Sequence, residues 1–108
     1  MKFKNIKNEF APKITEFDIS EKELEYVSML AAGVERKRAM ETLSMKQPEI
    51  RKLYLKLGLT EVRRKRYIQA VTLFSMNNII TDEIYSKLYQ KYNLIECKEM
   101  VNNYSFLK

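Results

Sequence analysis

Residues 34–56 read VERKRAMETLSMKQPEIRKLYLK, and the spacing of their apolar side chains decides the fold. Ala39, Met40, Leu43, Met45, Ile50, Leu53 and Tyr54 recur at helical intervals on both sides of a polar turn at 44–47. That pattern predicts two short helices, about 35–43 and about 48–57, closing on each other at a steep angle as a helix-turn-helix. Pro48 then falls in the first turn of the second helix, where its missing N–H leaves no helical bond unmade. The outward positions of that helix are Lys46, Gln47, Glu49, Arg51, Lys52 and Lys56. Most of these side chains are of the kind that hydrogen-bond base edges and phosphates.

The rest of the chain must fit around this unit. At 108 residues it has room for one core, with no space for a separate sensor or catalytic module. Two glycines and two prolines in the whole chain favour long helices over tight hairpins. No apolar run approaches the roughly 20 residues that cross a bilayer, so no membrane partner is expected. The opening MKFKNIKNEF lacks the continuous apolar stretch of a secretory signal. The single cysteine, Cys97, has no internal partner, which fits a reducing cytosol. A cytoplasmic protein is expected.

The formal charge of +6 is unevenly placed. Residues 33–67 hold eleven Lys or Arg against four Glu, while the segments on either side are close to neutral. A central basic cluster is the electrostatic footprint of a polyanion binder; the plain alternative is a solvated basic surface.

Residues 1–17, with Phe3, Phe10, Phe17 and Pro12, read as an extended arm that packs on the body, enters a groove or stays free. Ser20 and Glu23 form a capping box, and Leu24, Val27, Met29, Leu30 and Ala31 carry the first helix to about Ala32. Gly33 and Gly58 stand where left-handed residues stop helices. Thr60 is the expected cap of a fourth helix to about Ser75, with Val62, Tyr67, Ile68, Val71 and Phe74 as its apolar stripe. Its first turns hold Arg63, Arg64, Lys65 and Arg66, cations placed against the helix dipole, which points to phosphate contact or an acidic protein surface. Thr81, Asp82 and Glu83 start a fifth helix to about Tyr92, and a sixth runs from about Ile95 to Asn103. The expected fold is all-α, a small bundle of five or six helices containing the helix-turn-helix.

Residues 18–80 resemble the LuxR/GerE-type helix-turn-helix domain, with sigma-factor region 4 as a second possibility. The carriers are DISEKELEYVSMLAAG at 18–33, Lys37-Arg38-Ala39-Met40, Ile50-Arg51, Lys56-Leu57-Gly58, Ala70-Val71 and Asn78-Ile79-Ile80. Ser44 stands where many such turns use Gly, and residues 81–108 lie beyond the similarity. The resemblance implies double-stranded DNA as partner and a DNA-binding part at 18–80, flanked by the arm at 1–17 and a helical extension at 81–108.

On that expectation Lys46, Gln47, Arg51 and Lys52 face the major groove, where Arg pairs with guanine and Gln with adenine. Lys56, Arg63, Arg64, Lys65 and Arg66 hold phosphates, giving affinity without sequence information. For each of these residues the alternative is a solvated helix face. Tyr85, Leu88, Tyr89 and Tyr92 line one side of the fifth helix as core or as a candidate dimer seam. A homodimer would let two short reading helices share a site. Without histidine, and with one cysteine and no phosphate-binding glycine loop, the chain offers little enzymatic or metal chemistry. No cofactor is expected. Two functions lead: a sequence-specific transcription regulator, or an adaptor that presents its basic face to RNA polymerase or another transcription factor; RNA binding is a third, lesser alternative.

Overall fold

The computed structural model describes residues 1–59 and 65–106, with side chains through residue 101. Its centre is α1 (Glu21–Ala31), in which Leu24, Glu25, Tyr26, Val27, Ser28 and Met29 are all buried. Six buried residues in a row leave no solvent-facing side over that length. The helix is covered by α2 (Arg36–Leu43), α4 (Arg66–Met76) and α5 (Asp82–Tyr92), and α5 in turn packs on α6 (Ile95–Phe106). With α3 (Gln47–Lys56) and only a two-residue antiparallel pairing of β1 (Lys2–Phe3) with β2 (Phe17–Asp18), the fold is all-α.

The capping box that opens α1 is formed on both sides. The Glu23 N–H donates to Ser20 Oγ at 3.0 Å, and the Ser20 N–H donates to Glu23 Oε1 at 2.8 Å. Thr81 caps α5 through its side chain, with Asp82 and Glu83 in the first turn where the dipole favours them. Glu25, buried inside α1, is matched by Lys91 Nζ at 3.4 Å and by the Tyr92 hydroxyl at 3.1 Å. The hydrogen bond to Tyr92, followed by the charge of Glu25, raises the pKa of Lys91.

Of the three behaviours open to residues 1–17, the structure takes packing on the body. Ile6 and Phe17 are buried, and Phe17 stacks on Phe74 with ring centroids 6.0 Å apart. Asn8 Nδ2 donates to the Leu57 carbonyl at 3.0 Å, satisfying one of the free acceptors at the end of α3. Asn77 holds the same segment from the other side, accepting the Lys7 N–H at 2.9 Å and donating to the Lys7 carbonyl at 3.0 Å.

Two expectations need correction. The fourth helix is described from Arg66, with Lys65 as its N-cap, and its apolar stripe is not the expected one. Its buried side is Gln69, Ala70, Leu73 and Phe74, while Ile68 is 42% exposed and Tyr67 and Val71 are half-buried. The stripe is turned because α4 lies against α1 with Ala70 and Leu73 inward, a small residue permitting close approach. The expected cap Thr60 and stripe residue Val62 lie outside the described residues. The second correction concerns the tyrosine face: Tyr85 and Leu88 are buried in the chain's own core. They are therefore not available as the surface of a dimer seam; Tyr89 and Tyr92 are half-buried.

Candidate nucleic-acid interface

The turn between α2 and α3 is made by Ser44, whose left-handed backbone (φ 54°) ends α2 and reverses the chain. A non-glycine residue in that conformation carries a steric penalty of about 1–2 kcal/mol. It persists because Leu43 and Met45 on either side are both anchored in the core. Beyond it α3 opens with Lys46 as N-cap, Pro48 in the first turn, and the Lys46 N–H donating to Glu49 Oε1 at 3.1 Å.

Ile50, Leu53 and Tyr54 fix the inner face of α3, each no more than 6% exposed. The opposite face is then set by geometry: Gln47, Arg51, Lys52 and Leu55 are exposed, as is Lys46 at the helix start. Among the described residues, Lys46, Arg51 and Lys52 have no ion-pair partner. Leu55, 61% exposed, stands as an isolated apolar group between the two cations. This face therefore presents an amide, a guanidinium, ammonium groups and one methyl-rich side chain, with the carboxylate of Glu49 at the rim.

Lys56 is placed differently from the other expected phosphate contacts. Its Nζ lies 2.9 Å and 3.3 Å from the two oxygens of Glu23, so its charge is balanced inside the chain. Lys65 and Arg66 are exposed at the start of α4, and Arg63 and Arg64 lie outside the described residues.

On the Gln47 edge of α3 the structure brings together groups that the sequence scatters. A cleft of about 470 Å³ lies between α2, α3 and the start of α4. Among the described residues, Arg36, Lys37 and Arg66 line it against a single carboxylate, Glu35, and Tyr26, Tyr54 and Tyr67 supply aromatic walls. The Arg36 guanidinium lies 4.5 Å from the centroid of the Tyr67 ring and that of Arg66 lies 5.5 Å from the Tyr54 ring. Both are within cation–π range. Burial raises the pKa of the Tyr54 phenol, with a further push from the adjacent Tyr26, and burial likewise raises Tyr26. Both phenols stay protonated at neutral pH and are hydrogen-bonded to each other, so one O–H of the pair is already engaged.

Arg36 and Lys37 carry no expected role from the sequence, yet a signal for them was there. Arg36, Lys37 and Arg38 fill the first turn of α2, which contains no acid. Cations there oppose the helix dipole, the same argument that singles out Arg66. Arg38 is a different case, ion-paired with Glu96 and so tying α2 to α6. The remaining partners of the cleft, Tyr26, Tyr54 and Tyr67, come from three different helices, and no local spacing links them.

Among the described residues no helix is long and apolar enough to cross a membrane, and no three His, Cys, Asp or Glu side chains gather as metal ligands would. Comparison with family models, with curated proteins and with solved structures finds no match.

Proposed function

We propose that this chain is a sequence-specific, double-stranded DNA-binding transcription regulator that lays α3 in the major groove, in the manner of the LuxR/GerE-type domains it resembles. The observation that carries this reading is the outward face of α3, where Gln47, Arg51 and Lys52 stand exposed and the cations lack ion-pair partners among the described residues. The guanidinium and the amide supply the bidentate donors that guanine and adenine accept, and exposed Leu55 suits a thymine methyl. Lys46, Lys65 and Arg66, with Arg63 and Arg64, serve the phosphates and fix register. A buried thiol at Cys97 is compatible with work in a reducing cytosol.

Leu55 also favours a second reading. An apolar group flanked by Arg51 and Lys52 suits an acidic protein surface with a hydrophobic recess, as on RNA polymerase or another transcription factor.

Selection of random duplex DNA on the purified chain, followed by anisotropy titrations at several salt concentrations, separates the two. The regulator reading expects an enriched motif that binds at least about tenfold better than a scrambled duplex and loses that preference in Arg51→Ala, a loss of about 1–3 kcal/mol at one base pair. A two-fold symmetric motif adds the homodimer. Weak binding with no preference and the same salt slope for every duplex overturns it in favour of the adaptor.

A further inference from the structure

The concave site beside α3 differs in kind from the convex face that would meet a duplex. At about 470 Å³ it has the volume of a small-molecule site rather than a surface dimple. Its rim carries three cations, Arg36, Lys37 and Arg66, with Glu35 as the one carboxylate among the described residues, so it is suited to more than one negative charge. A phosphodiester in a duplex offers one charge per group and stands out from a broad, rigid cylinder, whereas a terminal phosphate offers more charge on a slim ligand.

The remaining lining matches a planar partner. Met40 and Ile50 give an apolar wall, and the Arg36 guanidinium lies 4.5 Å from the Tyr67 ring centroid, so a guanidinium and an aromatic ring, groups on which a heterocycle stacks, line the same space. The side-chain amide of Gln47 opens onto the same space and offers a donor and an acceptor to a base edge. The phenols of Tyr26 and Tyr54 lie on the same wall as a hydrogen-bonded pair.

We propose that this cleft binds a nucleoside phosphate, its phosphates held by Arg36, Lys37 and Arg66 and its base against Met40, Ile50 and Gln47. The binding stands independently of the DNA reading. If both hold, they are linked through Gln47, which borders the cleft and the outward face of α3, and a bound nucleotide alters DNA affinity by the same factor by which DNA alters nucleotide affinity.

The test is an amide-resolved NMR titration of the full chain, without DNA and at fixed ionic strength. ADP, GDP, CDP and UDP serve as probes, with adenosine and inorganic phosphate as separate arms. Saturable shifts are expected at the cleft residues for at least one nucleotide, which binds about tenfold or more tightly than either adenosine or phosphate alone. The double variant R36A/R66A, both positions exposed and so expected to keep the folded spectrum, weakens binding at least about tenfold, while R51A changes it less than twofold. Three results overturn the proposal: no saturable shift with any of the four nucleotides, inorganic phosphate binding as well as the nucleotides, or equal weakening in R51A and R36A/R66A. Because no DNA is present, a failed duplex selection leaves this result standing, and the reverse is also true.

Discussion

Lys56 Nζ lies 2.9 Å from Glu23 Oε1, joining the last turn of α3 to the first turn of α1. Glu23 therefore has two duties, since the same oxygen accepts the Ser20 N–H that completes the capping box. The consequence is an inequality between partners. Glu23→Ala removes half the cap and the ion pair and is expected to lower unfolding stability by about 1–2 kcal/mol. Lys56→Ala removes only a partly exposed pair and is expected to cost less than about 1 kcal/mol. Urea denaturation of the two variants decides it; equal losses would mean that the pair, not the cap, is what Glu23 contributes. Lys56→Ala is also expected to leave duplex binding close to unchanged, because its charge is already balanced.

Two left-handed positions invite opposite substitutions. Ser44 (φ 54°) would be relieved by glycine, so Ser44→Gly is expected to stabilise the chain by about 0.5–1 kcal/mol, the release of a left-handed penalty less the added freedom of the unfolded backbone. Gly58 (φ 77°) is the reverse, because a Cβ there would lie 2.5 Å from Ala11 Cβ and 2.7 Å from Ile14 Cδ1. Gly58→Ala combines backbone strain with displacement of the N-terminal segment and is expected to cost about 2 kcal/mol or more. Thermal melts show both signs directly, as a rise for Ser44→Gly and a fall of several degrees for Gly58→Ala.

Gly58 also marks where sequence reasoning reached its limit. Its role as a helix stop was legible, as were Gly33, the Ser20–Glu23 box and the Thr81 cap, because each is a local pattern of residue types at fixed offsets. The packing of Ala11 and Ile14 over Gly58 was not, since a glycine looks the same whether or not a distant chain passes over it. The exposed face of α3 followed from helical spacing within one element. The cleft did not, because Arg36 and Arg66 are 30 positions apart and meet only once α2 and α4 are both placed against α1. The tyrosine stripe stayed open between core and seam for a related reason. Periodicity shows that Tyr85 and Leu88 share a face, but whether that face meets the chain's own α1 or a second copy is a matter of tertiary order.

Cys97 on α6 gives a pH dependence with a definite sign. Its side chain is fully buried, and burial, reinforced by the charge of Glu96, raises the thiol from its ordinary 9.0 to about 11. A folded-state value above the unfolded one means that the unfolded chain ionises first. The contribution is therefore fully present below about pH 9 and is lost as pH rises through about 11. Two units correspond to about 3 kcal/mol at most. Other groups, Tyr85 among them with its phenol raised by burial, titrate in the same range, so the readout is the difference between wild type and Cys97→Ala across pH. The variant is expected to start about 1 kcal/mol lower through lost packing and to fall less steeply between about pH 9 and pH 11, so that the two urea-stability curves converge and, at the full effect, cross near about pH 10. Parallel curves would mean that the thiol is reached by water in the folded chain and that α6 opens far below the global unfolding energy. A thiol reagent at about pH 8 gives an independent check, since a closed α6 leaves Cys97 unreactive until the chain unfolds.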